Sequence, residues 1–88
     1  MITIGLDEVF RKYADAQAEI QIDAADVGEA LRLLFERHPD LRVRVVDETA
    51  QLHSYLLLFH NGDQIRSDMA TVLNEGDRLD IVAAAAGG

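Results

Sequence analysis

The chain has 88 residues, of which 49% are hydrophobic and 27% charged, and it carries a formal net charge of −8. This length and composition predict one small globular domain and exclude a disordered chain. The absence of cysteine excludes disulfides and a cysteine nucleophile. The acidic balance disfavours nucleic acid and anionic membranes as partners and favours a basic protein surface, although acidity can also serve solubility alone.

The N-terminal sequence lacks the basic and apolar regions of a signal peptide. No apolar run approaches the length of about 20 residues that spans a bilayer. We therefore expect a cytoplasmic protein that has no membrane segment and is monomeric by itself.

The N-terminal part of the chain contains two short strand patterns. Residues 1–4 are rich in β-branched side chains, and residues 18–22 alternate between apolar and polar. Residues 6–16 between them have a mixed composition that predicts mainly a loop. The alternative is a single helical turn through Val9, Phe10 and Tyr13.

The clearest predicted element is a helix that begins after Asp26. Asp26 is a favourable N-cap residue, and Glu29 follows three positions later as in a capping box. Pro39 predicts that the helix ends near Arg37, because the residue before a proline avoids the helical region. The predicted buried face of the helix comprises Val27, Ala30, Leu31, Leu34 and Phe35.

Two further segments carry strand patterns after the helix. Residues 41–46 alternate and predict a strand, with a turn of helix as the alternative. Residues 55–59 form the most apolar run of the chain and predict a strand in the interior of a sheet.

The C-terminal half continues with a hairpin and a last strand. Asn61-Gly62 is a hairpin signal because both residues tolerate positive φ, and residues 64–66 would form the return strand. Residues 78–82 predict the last strand. One amphipathic helix against a small mixed sheet is an α+β architecture.

The sequence ends in a thin apolar segment. We divide the chain into a domain of residues 1–82 and a flexible tail of residues 83–88, which ends in Ala86-Gly87-Gly88. The tail spans about 20 Å when fully extended and has almost no side-chain bulk, so it could present the Gly88 carboxylate inside a narrow channel. The alternative is a frayed terminus without function.

Several motifs between residues 52 and 88 resemble those of the ubiquitin-like sulfur carrier proteins. This family includes the molybdopterin synthase small subunit, the thiamin sulfur carrier and a carrier used in one route to cysteine. The resemblance implies a β-grasp fold. The matching motifs are the apolar strand at 55–59, Asn61-Gly62-Asp63-Gln64-Ile65-Arg66, Leu73-Asn74-Glu75-Gly76-Asp77-Arg78-Leu79-Asp80-Ile81 and Ala86-Gly87-Gly88.

The resemblance also implies a chemical role for Gly88. In this family a ubiquitin-activating-like enzyme uses ATP to adenylate the terminal carboxylate, and a persulfide sulfur then displaces AMP to give a thiocarboxylate. A sulfur-accepting biosynthetic enzyme receives the sulfur. The chain itself would bind no cofactor and contribute no catalytic residue. It departs from the family pattern at His60, where an aliphatic residue is usual, and in the absence of proline before Ala86.

The other polar residues do not indicate an active site. The three histidines lack metal-ligand spacing, which predicts surface histidines and no metal site. Asp77 and Asp80 have no nucleophile nearby in the sequence, so we interpret them as surface carboxylates that steer a basic partner.

Residues 55–60 place different side chains on the two faces of the predicted sheet. We expect Leu58 to pack on the helix, and Tyr55, Leu57 and Phe59 to form a partner-binding face. The alternative is that loops bury both faces.

Two other functions remain open at this point. The chain could be a ubiquitin-like modifier that is attached to protein lysines through Gly88. It could also be an interaction module whose two terminal glycines have no role.

Overall fold

The computed structural model describes residues 1–66 and 68–84. The residues Ala86, Gly87 and Gly88, for which we predict a functional tail, therefore lie outside the described residues. The elements within them are β1 (Ile2–Leu6), α1 (Glu8–Arg11), β2 (Glu19–Ile22), α2 (Val27–Arg37), α3 (Pro39–Val45), β3 (Leu56–His60), β4 (Asp63–Ile65) and β5 (Arg78–Ala83).

The strands form one mixed sheet in the order β2-β1-β5-β3-β4. β1 and β5 are parallel, and the other neighbouring pairs are antiparallel. The last strand in the sequence is thus the central strand of the sheet. The predicted α+β architecture with a β-grasp arrangement is confirmed.

One hydrophobic core lies between the sheet and the helices. Alternate side chains of the strands point into it, as the period of two in a strand requires. The strands contribute Ile2, Ile4, Leu6, Ile20, Ile22, Leu56, Leu58, Leu79 and Ile81 to this core. The two longer helices contribute Val27, Ala30, Leu31, Leu34, Leu41 and Val45.

The start of α2 has the predicted capping arrangement. The backbone N–H of Glu29 donates to Asp26 Oδ1 at 2.8 Å, and the Glu29 carboxylate accepts from the Ala25 N–H at 2.8 Å. α2 ends at Arg37, with His38 as its C-cap. Both predicted ends of this helix are confirmed.

The predicted strand at residues 41–46 is wrong, and its helical alternative is correct. α3 begins at Pro39, which occupies the first turn of a helix favourably because its fixed φ suits that position. Leu41 and Val45 are fully buried, whereas Val43 between them is 65% exposed. A strand would place all three on one face, while a helix places only residues four apart together.

The remaining boundaries differ from the predictions by a few residues. α1 confirms the helical turn in the segment that we predicted mainly as a loop. Asn61 and Gly62 have φ of 50° and 89°, as in a two-residue hairpin turn, and β4 therefore begins at Asp63 immediately after it. β5 includes Ala83, one residue beyond the predicted end of the domain.

No helix in residues 1–66 and 68–84 is both long and apolar enough to cross a membrane.

Candidate functional site

The end of β5 is held from both sides. Antiparallel pairing to β3 continues past the strand, because the Ala84 N–H donates to the Tyr55 carbonyl at 2.7 Å. On the β1 side, the Ala83 N–H donates to Asp7 Oδ2 at 3.0 Å. The segment that follows Ala84 therefore starts from a fixed point beside β3.

The face of the sheet that points away from α2 is apolar near this point. Leu58 is fully buried in the core, whereas Leu57 and Phe59 are half-buried and Tyr55 is 44% exposed. Leu58 thus faces the core as predicted, and Leu57 and Phe59 on the opposite face are not fully buried. Val82 pairs with Leu57 across the sheet and is also half-buried. We call Tyr55, Leu57, Phe59 and Val82 the outer apolar patch.

Tyr55 is fixed at the edge of the outer apolar patch. Its ring stacks on His53, with centroids 5.2 Å apart and an interplanar angle of 11°. Its hydroxyl donates to the Arg44 carbonyl at 3.3 Å. This anchoring reduces the side-chain entropy that the residue would lose on binding a partner.

A charged group borders the patch on the same face. Arg78 Nε donates to both oxygens of Asp80 at 3.0 Å, and Arg78 Nη1 contacts Glu19 Oε2 at 2.6 Å. These two carboxylates raise the pKa of Arg78 above its ordinary value, with Asp80 the larger cause. Asp80 lies opposite Gly5 in the sheet, where a Cβ would clash with the Asp80 and Arg78 side chains. Gly5 thus lets the ion pair lie flat on the sheet.

Asp77 has a different environment at the other end of β5. Its Oδ2 accepts from the Asn74 N–H at 2.8 Å and contacts His60 Nε2 at 2.7 Å, while its Oδ1 accepts from Asn61 Nδ2 at 3.0 Å. The Asn74 bond, followed by those of His60 and Asn61, lowers the pKa of Asp77 to about 2. Asp77 connects the β3–β4 hairpin to the turn before β5.

The residues that the structure describes contain no group of three or more His, Asp or Glu side chains arranged to hold a metal ion. His60 contacts Asp77, and His53 Nε2 lies 2.9 Å from the Val43 carbonyl. His38 Nδ1 is 4.0 Å from Asp15 Oδ2.

The fold is similar to several solved structures. A chain in the crystal structure of the Amycolatopsis orientalis BexX/CysO complex matches with a TM-score of 0.90 and 24% identity, covering 100% of both chains. Mycobacterium tuberculosis CysO matches with a TM-score of 0.88 and 19% identity, covering 97% of this chain and 100% of that one. Small archaeal modifier protein 1 from Haloferax volcanii matches with a TM-score of 0.86 and 24% identity, covering 99% and 98%.

The sequence comparisons add a family. No curated protein sequence matches the chain significantly. The model of the ThiS family, in contrast, matches residues 8–88, which is nearly the whole chain. The chain belongs to the ThiS family. It is therefore a ubiquitin-like sulfur carrier by family, as the resemblance predicted, in a group of small proteins that are in general not catalysts.

The predicted partner-binding residues occupy two parts of this ThiS-family fold. Leu57 and Phe59 lie side by side on the outer apolar patch, with Asp80 as the cross-strand neighbour of Phe59, whereas Tyr55 lies at its edge and bonds to Arg44 of α3. Asp77 lies away from them and bonds within the fold. Their role in binding a partner stays a prediction.

Sequence reasoning missed two residues beside the end of β5. Val82 could have been found, because Leu79 and Ile81 alternate into the core and leave Val82 on the outer face. Asp7 could not have been found, because its contact with Ala83 joins residues that are 76 positions apart.

Proposed function

We propose that the Gly88 carboxylate is the group on which this sulfur carrier is activated and loaded. The supporting observation is that the central strand β5 ends at Ala83 and leads into the Ala86-Gly87-Gly88 sequence, within a family match that extends to residue 88. The chain supplies the acyl group and a docking surface. The ATP site, the persulfide and the catalytic residues belong to partner enzymes.

The proposed chemistry has three steps, all on partner enzymes. A carboxylate oxygen of Gly88 attacks the α-phosphorus of ATP, which releases pyrophosphate and gives an acyl-adenylate. The terminal sulfur of a protein persulfide then attacks the acyl carbon and displaces AMP, so that an acyl disulfide forms. A second thiol cleaves this disulfide by thiol–disulfide exchange and leaves the thiocarboxylate on Gly88.

We place the docking surface on the outer apolar patch. Aromatic side chains are enriched in protein interfaces, and a few residues near the centre of an interface supply most of the binding energy. Arg78, Asp80 and Glu19 form a polar rim on one side of the patch, as in many protein interfaces. The partners are an adenylating enzyme that resembles ubiquitin-activating enzymes and a sulfur-accepting biosynthetic enzyme.

The net charge of −8 supports basic protein partners and opposes binding to nucleic acid or anionic membranes. We place the protein in the cytoplasm and expect a monomer when no partner is bound.

The intact mass of the protein from its own cells tests the proposal. We expect a fraction of the chain whose mass has increased by the replacement of one oxygen by sulfur. Deletion of Gly88 should abolish this species, and Gly88→Ala is the milder companion variant. A terminus that never carries sulfur, in cells grown with adequate sulfur, would contradict the proposal.

The alternative function is that of a protein modifier, and the likeness to small archaeal modifier protein 1 favours it. Adenylation at Gly88 would be shared, but a lysine amine would then displace AMP and form an amide. Lys12 is the only lysine of the sequence, so conjugates between copies are restricted to Lys12 and the N-terminal amine.

Mass spectrometry of the same extracts distinguishes the two functions. If the extracts contain conjugates to other proteins but no thiocarboxylate form of the chain, the modifier function is favoured. If conjugates between copies disappear in Lys12→Arg, the Lys12 amine is the acceptor. If deletion of Gly87 and Gly88 leaves the cells unaffected, the chain is an interaction module instead.

A further inference from the structure

An irregularity in hydrogen bonding occurs where β1 ends. β1 and β5 are parallel with Leu6 opposite Ile81, and the Asp7 N–H donates to the Ile81 carbonyl at 3.1 Å. In a regular parallel ladder, the Asp7 carbonyl would accept the next bond, from the Ala83 N–H. Instead, this carbonyl accepts from the Phe10 N–H at 2.9 Å as α1 begins. The Ala83 N–H therefore has no backbone acceptor on the β1 side of the sheet.

The side chain of Asp7 replaces the missing acceptor. Asp7 occupies the N-cap position of α1, where an aspartate normally accepts a bond from its own helix. Asp7 makes no such bond, and its Oδ2 accepts from the Ala83 N–H at 3.0 Å. The carboxylate thus extends the pairing of β5 by one residue. The Tyr55 carbonyl holds the next residue, Ala84, from the opposite side.

We propose that Asp7 is a positioning residue for the delivery of Gly88, an inference that rests on the proposed function. The Asp7–Ala83 and Tyr55–Ala84 bonds fix the place and direction in which the chain leaves the sheet. Residues 85–88 then reach at most about 14 Å from that point, at ~3.3–3.6 Å per residue. A partner docked on the outer apolar patch therefore receives Gly88 within a defined range.

Loss of the Asp7 acceptor should weaken this delivery. Without it, the Ala83 N–H has no partner on the β1 side, so the end of β5 opens more often. The adenylating enzyme must then order additional backbone on binding, which costs conformational entropy. The chemical step itself should not change, because Asp7 does not touch the reacting atoms.

Asp7→Ala and Asp7→Asn form the matched pair that tests the contact. Asparagine keeps a side-chain oxygen that can accept from Ala83, whereas alanine does not. Measured by NMR hydrogen exchange, the Ala83 amide should exchange roughly five- to tenfold faster in Asp7→Ala, since a lost bond of ~1–1.5 kcal/mol corresponds to that factor. Asp7→Asn should resemble the wild type, and the Leu79 amide should be unaffected in both.

ATP–pyrophosphate exchange on the adenylating enzyme of the same organism tests the role in delivery. We expect Asp7→Ala to raise the KM for the carrier by about tenfold with kcat unchanged, and Asp7→Asn to restore KM. Leu33→Ala, a half-buried site on α2 away from β5, is a control for destabilisation and should leave KM unchanged.

The outcomes separate the two proposals. An unchanged KM in Asp7→Ala, with normal adenylation of the wild type, would overturn the role of Asp7 alone. Equal exchange of Ala83 in the wild type and Asp7→Ala would also overturn it. A wild-type chain that is not adenylated, and so does not differ from a chain lacking Gly88, would overturn the proposed function and the role of Asp7 together.

Discussion

Single side chains on β3 and β5 determine which surfaces of this carrier are available to a partner. Leu58 points into the core, and Phe59 points to the outer face beside Asp80. Both oxygens of Asp77 accept hydrogen bonds within the fold, so this carboxylate stabilises the hairpin. Asp80 is shared with Arg78 and lies next to the outer apolar patch. The two aspartates that looked equivalent in the sequence therefore have different environments.

Substitutions at Phe59 and Leu58 test the assignment of the two faces. Phe59→Ala should leave the fold nearly intact but weaken binding to the adenylating enzyme by about 2 kcal/mol or more, roughly thirtyfold in affinity. Leu58→Ala should instead destabilise the domain by about 2–5 kcal/mol, because it leaves a cavity in the core. Melting temperature and affinity are measured for both variants in parallel. The faces are reversed if Phe59→Ala unfolds the protein and Leu58→Ala only weakens binding.

The lowered pKa of Asp77 predicts a dependence of stability on pH. The carboxyl has a pKa of about 2 in the folded protein against an ordinary 3.8. Its contribution is therefore fully present above its ordinary pKa and is lost as the pH falls towards 2. Urea unfolding should show that stability falls less steeply in Asp77→Asn than in the wild type between pH 4 and pH 2. Identical slopes in this range would show that Asp77 is not bonded as described.

The elements of the fold differ in how strongly they depend on local sequence. α2 has a capping box at its start and a buried face along its length, so local signals and packing agree. α3 begins with Pro39 and is stabilised by the burial of Leu41 and Val45. The end of β5 depends on the side chain of Asp7, the N-cap residue of α1, which accepts from the Ala83 N–H.

Truncation of the buried face of α2 should be costly. Leu34 is fully buried and Leu31 is 3% exposed, so Leu34→Ala or Leu31→Ala should each cost about 2–5 kcal/mol. Such a loss is a large part of the stability of a small domain. Chemical denaturation measures it, and Leu33→Ala serves as the control with a smaller cost. If either buried leucine can be replaced without a change in stability, the helix packs differently.

On the scale of the whole molecule, the parallel pairing of β1 and β5 sets the geometry of the site. It makes the last strand the central one and brings its end beside the start of α1. The same arrangement places the outer apolar patch, the Asp7 contact and the start of the C-terminal segment together.

Removal of Gly87 and Gly88 should separate folding from activation. These residues carry no side chain to bury, so the truncated chain should melt at nearly the wild-type temperature. It should nevertheless fail completely in ATP–pyrophosphate exchange, because the acyl group is lost. A large fall in the melting temperature would mean that the glycines contribute to the fold.

The sequence by itself determined the elements whose signals are local. The capping pair and apolar spacing predicted α2, and Asn61-Gly62 predicted the hairpin, because both depend on backbone preferences within a few residues. The alternation of residues 55–59 predicted which side chains of β3 face the core. The C-terminal motifs predicted the family, which the match over residues 8–88 shows.

Only the tertiary structure decided the features that depend on distant contacts. Residues 41–46 alternate like a strand, but packing of Leu41 and Val45 against the core makes residues 41–45 helical. Asp77 differs from Asp80 because it bonds to Asn61, His60 and the turn before β5. Only the fold brings these groups together. Asp7 bonds to Ala83 only because β1 lies beside β5. No local sequence pattern predicts a contact between residues that are 76 positions apart.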